Sequence, residues 1–193
     1  MRITGGDLKK KRLFCPKGLK IRPTTDKVRE ALFQIISANF FDDFSELVAL
    51  DLFSGTGALG IEAISRGVTH CVFVEKSSLS IKYLKRNLRD LGLISKAKII
   101  KKDTYKYLNS TEVSGLTYDL IFCDPPYEKG HLQRLINVFE EKNVLLSAKG
   151  VLIVEERKSA LFNNEQLKLL ELVMVKRYGD TKLFFFRKRQ KSL

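Results

Sequence analysis

Val48-Ala49-Leu50-Asp51-Leu52-Phe53-Ser54-Gly55-Thr56-Gly57-Ala58-Leu59-Gly60 is the stretch whose reading decides the fold. An apolar run carries a carboxylate, passes through a glycine-rich turn and leads into residues 58–64, which have the composition of a helix. A strand, a tight loop and a helix N-terminus in that order open a nucleotide-type site in an α/β sheet. Gly55 and Gly57 permit positive backbone dihedrals and let a ligand approach the main chain. Gly60 is expected to let the helix pack closely on its strand. The Gly-x-Gly-x-x-Gly spacing also describes dinucleotide sites, so its surroundings must decide.

Asp51 tilts that decision. A dinucleotide site sets pyrophosphate on the helix dipole, and a neighbouring aspartate repels phosphate. The same aspartate suits a cationic amino-acid end, such as the α-ammonium of S-adenosylmethionine (SAM). Glu75 ends a second apolar run, 70–75, where an acid commonly takes both ribose hydroxyls of a bound nucleoside. A third run, 97–102, ends at Asp103, which suits either the adenine amino group or the N-cap of a helix over 104–108.

The fourth run, 118–123, leads directly into Asp124-Pro125-Pro126-Tyr127. Two prolines cannot continue a strand and fix a rigid turn. Asp124 and the Pro125 carbonyl can accept hydrogen bonds from a planar exocyclic amine, and Tyr127 offers a stacking face. This is the most specific signal in the chain.

Elsewhere the patterns are ordinary. Thr24 or Thr25 can cap a helix that Val28, Ala31, Leu32, Ile35 and Ile36 carry to about Asn39. Ser77 caps a helix whose Ile81, Leu84, Leu88 and Leu91 face inward, and Gly92 closes it. A helix over 131–143, a strand over 150–155 and a short helix over 159–166 follow. Residues 172–175 and 182–186 then flank Tyr178-Gly179-Asp180 as a hairpin. Residues 1–23 read as short extended or looped pieces.

At 193 residues, 44% apolar and 30% charged, the chain fits one globular domain. No apolar run approaches the roughly 20 residues that span a bilayer, and no apolar segment follows Met1 as in a secretory signal. Three unclustered cysteines, Cys15, Cys71 and Cys123, read as reduced thiols of a cytoplasmic protein, and His70 and His131 give no metal-ligand spacing. The net charge of +13 is unevenly placed. Residues 1–29 carry +8, residues 176–193 carry +6, and the remaining 146 carry −1. A polyanion is the natural partner. Both ends are expected to fold toward the carboxyl edge of the sheet as a basic rim.

With these motifs placed, the chain resembles a class I SAM-dependent methyltransferase, and more closely the RsmD family of 16S rRNA guanine-N2 methyltransferases. The resemblance runs nearly end to end, through Met1-Arg2-Ile3-x-Gly5-Gly6, Arg22-Pro23-Thr24-x-Asp26-x-Val28-Arg29-Glu30-Ala31-Leu32-Phe33, the Asp51–Gly60 stretch, Asp124-Pro125-Pro126-Tyr127 and the late Tyr178-Gly179. Ser54 and Thr56 stand where Ala and Ser are frequent. The resemblance implies a Rossmann-like, seven-stranded, mostly parallel sheet closed by an antiparallel hairpin, with helices on both faces and a basic N-terminal extension over 1–23. It implies SAM held by Asp51, Phe53, Ser54, Gly55, Thr56, Gly57, Gly60, Glu75, Lys76, Asp103 and Thr104. The catalytic turn would be Asp124, Pro125, Pro126 and Tyr127. Arg2, Lys9, Lys10, Lys11, Arg12, Arg22, Thr24 and Arg29 would contact 16S ribosomal RNA, in the small subunit or its assembly intermediate, with the protein acting as a monomer. Two alternatives stay open: methylation of the adenine amine in DNA, and a nicotinamide-dependent oxidoreductase.

Overall fold

The computed structural model describes residues 1–16, 25–126, 130–141, 145–162, 164 and 167–190. Arg22, Thr24 and Tyr127, all expected at the site, lie outside them. Among the described residues, seven strands form one sheet: β1 (Val48–Leu52), β2 (His70–Glu75), β3 (Ala97–Lys101), β4 (Tyr118–Cys123), β5 (Leu146–Arg157), β6 (Leu170–Tyr178) and β7 (Thr181–Lys188). Their order is β3-β2-β1-β4-β5-β7-β6. The first five run parallel, and β7 is antiparallel to both of its neighbours, β5 and β6. This is the expected Rossmann-like architecture, hairpin included.

Strand alternation builds a core on each face. Ala49, Phe73, Phe122, Ile153 and Phe185 point to one side, with α1 (Asp26–Asn39), α2 (Ala58–Ser65) and α3 (Ser78–Asp90). Leu50, Leu52, Val74, Ile121 and Phe186 point to the other, with α4 (Thr104–Leu108) and α5 (His131–Glu141). Burial on both faces explains why these strands read as continuous apolar runs. Thr25 caps α1 by accepting from Val28 N, Ser77 caps α3 by accepting from Ser80 N, and Gly92 ends α3 with φ of 71°. Gly60 meets its expectation: a Cβ there would lie 2.4 Å from the Phe73 ring and 2.7 Å from Cys71 Sγ, so α2 sits directly on β2.

The short helix expected over 159–166 is absent from the described part of that stretch. After a turn closed by Ala160 N and the Arg157 carbonyl, Phe162 sets its ring edge-on against Phe184 and Phe186. Beside that anchor Leu161 is 94% exposed.

The described part of the N-terminal extension contains a hairpin. Arg2 and Arg12 bridge antiparallel, and Ile3 N and Leu13 N donate to the carbonyls of Lys11 and Met1. It is fastened by Glu62, a fully buried side chain on α2. This carboxylate accepts from Thr4 N (2.9 Å), Thr4 Oγ1 (2.7 Å), Gly5 N (2.7 Å), Arg29 Nε (3.1 Å) and Arg66 Nε (3.0 Å). Glu62→Ala should cost about 3–5 kcal/mol, because it leaves the Arg29 charge buried without this partner. Urea unfolding checks this, and a loss under about 1 kcal/mol would remove Glu62 from that role.

Candidate functional site

The first five strands end together at the carboxyl edge, and the strand order reverses between β1 and β4. Ligands bind at such a switch point in open α/β sheets. In the parallel register Leu52 faces Cys123, so Phe53 and Asp124 leave adjacent strand ends side by side. The glycine loop and the Asp124 turn therefore flank one crevice, with strands about 4.8 Å apart beneath it.

The loop is gripped from below and from the side. Asp51, 2% exposed, accepts at Oδ2 from Gly60 N at 2.9 Å, satisfying a free donor in the first turn of α2. Glu75 accepts from Gly55 N at Oε2 (2.8 Å) and from Ser77 N at Oε1 (2.7 Å), bridging the loop to the start of α3. Phe53 is held in the left-handed region with φ of 58°, a strain of about 1–2 kcal/mol that the surrounding packing must offset. Burial raises the Asp51 carboxyl to about 7, the Gly60 bond opposes the rise and the Glu75 charge adds to it. Burial, with the Asp51 charge adding, also lifts the Cys71 and Cys123 thiols, so neither is a ready nucleophile.

Exposure sorts the expected cofactor residues into two groups. Phe53, Gly55, Glu75, Lys76 and Asp103 keep accessible surface at the edge. Asp51, Ser54, Thr56, Gly57, Gly60 and Thr104 are buried behind them. The second group shapes the site, and Asp51 sits under the loop with one oxygen already engaged. Asp103 is the N-cap of α4, with Oδ1 accepting from Tyr105 N and Lys106 N, while Oδ2 lies 4.0 Å from Lys76 Nζ. The loop also has features suited to a ligand. Ser54 Oγ is buried without a hydrogen-bond partner among the described residues. A Cβ on Gly55 would find nothing among the described residues nearer than the Phe53 carbonyl at 3.9 Å, so that face is open to them.

Across the crevice, Asp124 is half-buried, Pro125 buried and Pro126 exposed. Against Phe53 sits an aromatic pair, Tyr105 and His131, that the sequence reading missed. The Tyr105 ring stacks on His131 (5.8 Å, 13°), its hydroxyl is hydrogen-bonded to His131 Nδ1 at 2.7 Å, and Phe53 meets both rings edge-on. The Arg134 guanidinium covers Tyr105 at 3.8 Å, and burial raises the Tyr105 hydroxyl to about 12. These residues come from the loop after β1, from α4 and from the start of α5, and no local spacing announces them.

Two expectations change: Arg29 as a substrate contact, and the placement of the basic ends around the carboxyl edge. Arg29 is fully buried. Its guanidinium is taken up by Glu62, Asp26 and the Arg2 carbonyl, so it is a structural cation with no surface for RNA. Arg2, Lys9, Lys10, Lys11 and Arg12 are exposed. However, their hairpin docks on Glu62 and Ser65 in the last turn of α2, which runs away from the carboxyl edge. The C-terminal charges divide as well. Lys176, Arg177 and Lys182 lie where β6 and β7 meet the edge, whereas Arg187 and Lys188 lie at the opposite end of β7. Among the described residues, a complete basic rim does not form.

Comparison with known proteins follows the same lines. Residues 1–187 match the family described as "Conserved hypothetical protein 95". YlbH of Bacillus subtilis, named as a candidate rRNA methyltransferase, is 34% identical over 98% of this chain and 100% of its own length. Ribosomal RNA small subunit methyltransferase D of Escherichia coli K12 is 30% identical over 83% of this chain and 77% of its own. The solved structure of yhhF from Escherichia coli superposes with a TM-score of 0.81 at 29% identity, covering 99% of each chain.

The Asp51 carboxyl yields a pH-dependent outcome. Unfolded, it ionises near its ordinary 3.8, whereas folded it keeps its proton to about 7. Between those values the folded state binds the extra proton, so this group's contribution to stability falls as pH rises. Asp51→Asn keeps an acceptor for Gly60 N and removes the titration. The stability of the Asn variant relative to the natural protein should therefore grow from about pH 4 to about pH 7, then level off. A difference that stays constant across that range in denaturant titrations would assign Asp51 an ordinary pKa.

Proposed function

The chain belongs to the RsmD family of methyltransferases, and on that footing we propose that it methylates the exocyclic N2 amine of a guanine in small-subunit ribosomal RNA, with SAM as methyl donor. The single observation that carries this reading is the register of Leu52 against Cys123, which sets the glycine loop beside the Asp124 turn. The open Gly55 face and the unpartnered Ser54 hydroxyl fit a nucleoside cofactor in that loop. When bound, SAM supplies an electrophilic methyl group on a sulfonium.

The chain's own residues supply the rest. Glu75 accepts from the ribose hydroxyls with its remaining lone pairs, and Asp103 Oδ2 receives the adenine amine. The ionised form of Asp51, beneath the loop, favours the cofactor's ammonium through its field. Asp124 and the Pro125 carbonyl accept the two hydrogens of the guanine amine. That turns the nitrogen lone pair out of conjugation with the ring and fixes its line of approach, so positioning carries much of the rate. Tyr127 replaces part of the stacking lost when the base leaves its helix, a contribution of about 1–3 kcal/mol. The buried Asp51 under the loop disfavours the pyrophosphate of a nicotinamide cofactor.

Asp124→Ala should abolish methyl transfer while SAM still binds within a few-fold, as read by radiolabel transfer and calorimetry. Glu75→Ala should instead weaken SAM binding by about 1.5–3 kcal/mol, the range for hydrogen bonds to a charged group. Radiolabel from SAM should enter small-subunit RNA and be absent from guanine-free RNA and from DNA. Labelling of DNA at adenine would replace the proposed substrate, and substantial turnover by the Asp124 variant would mean that another group holds the amine.

A further inference from the structure

The N-terminal hairpin lies against α3, and the join is specific. Phe14 leaves the hairpin with its N–H donated to Asn87 Oδ1 (2.8 Å) and its carbonyl accepting from Asn87 Nδ2 (3.1 Å). Asn87 is 1% exposed, so this link is internal. Outside it, the Phe14 ring takes the Arg86 guanidinium at 3.6 Å and that of Arg12 at 5.8 Å. One arginine comes from α3 and the other from the hairpin. A guanidinium spread over a ring keeps its edge N–H groups directed outward and loses little freedom on meeting a planar anion.

From that joint the basic surface continues along α3. Lys82, Lys85, Arg86 and Arg89 recur at helical neighbour spacing and are exposed. Arg86 reaches Asp90 at 3.4 Å, whereas no ion pair joins Lys82, Lys85 or Arg89 to an acid among the described residues. On the hairpin side, Lys9, Lys10, Lys11 and Arg12 are exposed too.

We propose that the hairpin and the outer face of α3 form one phosphate-binding surface, joined at Phe14, which holds the RNA backbone flanking the target base. The occupant follows from charge. Closely set cations, of which Lys82, Lys85 and Arg89 have no acidic partner among the described residues, match the regular anions of a nucleic-acid backbone, and such contacts set affinity and register without reading sequence. This inference rests on RNA being the substrate and extends it to a helix in the body of the chain, whose net charge of −1 had hidden it.

The test is the salt dependence of RNA binding. The variant Lys82→Gln, Lys85→Gln, Arg89→Gln keeps helix formers at exposed positions outside the site. Its slope of log affinity against log salt, measured with a small-subunit RNA fragment, should fall by about 2–3 units. Affinity for S-adenosylhomocysteine and the methylated position should not move. Removing Lys149 and Lys168 by the same Gln changes, at exposed positions near the amino edge, should leave the slope unaltered. An unchanged slope in the triple variant overturns the inference while leaving RNA methylation in place. An equal loss per charge in the control also overturns it, since bulk charge would then suffice. If the natural protein binds S-adenosylhomocysteine but shows no salt-dependent RNA binding, both the surface and the RNA substrate fall.

Discussion

Glu62 is a charge without access to water, and folding tolerates it only because its lone pairs are taken up by donors from three segments. Two arginines and the main chain of Thr4 and Gly5 converge on it. Removing any one donor exposes the rest to the cost of an unmatched buried charge. The hairpin, α1 and α2 are therefore fixed to one another before any ligand is considered. This also accounts for Arg29 inside the Arg22–Phe33 block. In sequence it looks like a substrate cation, whereas in space it closes the Glu62 network.

A second pair of acids, Asp51 and Glu75, divides the work at the loop. Asp51 is sealed beneath it and holds the start of α2, while Glu75 stays half-exposed and holds Gly55 from the side. Their different surroundings give them different chemistry. The buried one keeps a proton into the neutral range, and the accessible one keeps surface for a ligand. A like charge nearby adds to the rise in Asp51. The strained Phe53 between them turns the chain from strand to loop and places its ring against Tyr105 and His131.

What could be read from residues alone was whatever depends on local pattern. Apolar runs located the strands of the sheet, capping residues located α1 and α3, and the turn Gly179-Asp180 located the hairpin. The glycine loop and the Asp124 turn were legible because their chemistry is carried by contiguous residues. Three features were not. The Phe53–Tyr105–His131 group draws on a loop and two separate helices, and His131 has no neighbour in sequence to suggest it. The role of Arg29 depends on Glu62, thirty-three positions away. The segment around Phe162 has helical composition, yet its described part is no helix and sets the Phe162 ring on β7. In each case a distant contact outweighs a local preference, as propensity arguments must allow.

The distribution of charge carries the same lesson further. Counting along the chain puts the cations at its two ends, but a sheet whose last strand runs antiparallel sends Arg187 and Lys188 away from the edge that Lys182 reaches. The hairpin meanwhile follows α2 away from that edge and meets α3, a helix whose own cations are cancelled in any total by acids elsewhere. Asn87 connects this surface to the chemistry: its Nδ2 donates to the Phe14 carbonyl and also to the Thr56 carbonyl of the glycine loop, at 3.1 Å each. The loop is thereby held from β1 by Asp51, from β2 by Glu75 and from α3 by Asn87. Among the described residues, the face at Gly55 is left clear. A loop fixed on its other sides meets a ligand there without having to reorganise, which is the condition under which positioning lowers a barrier.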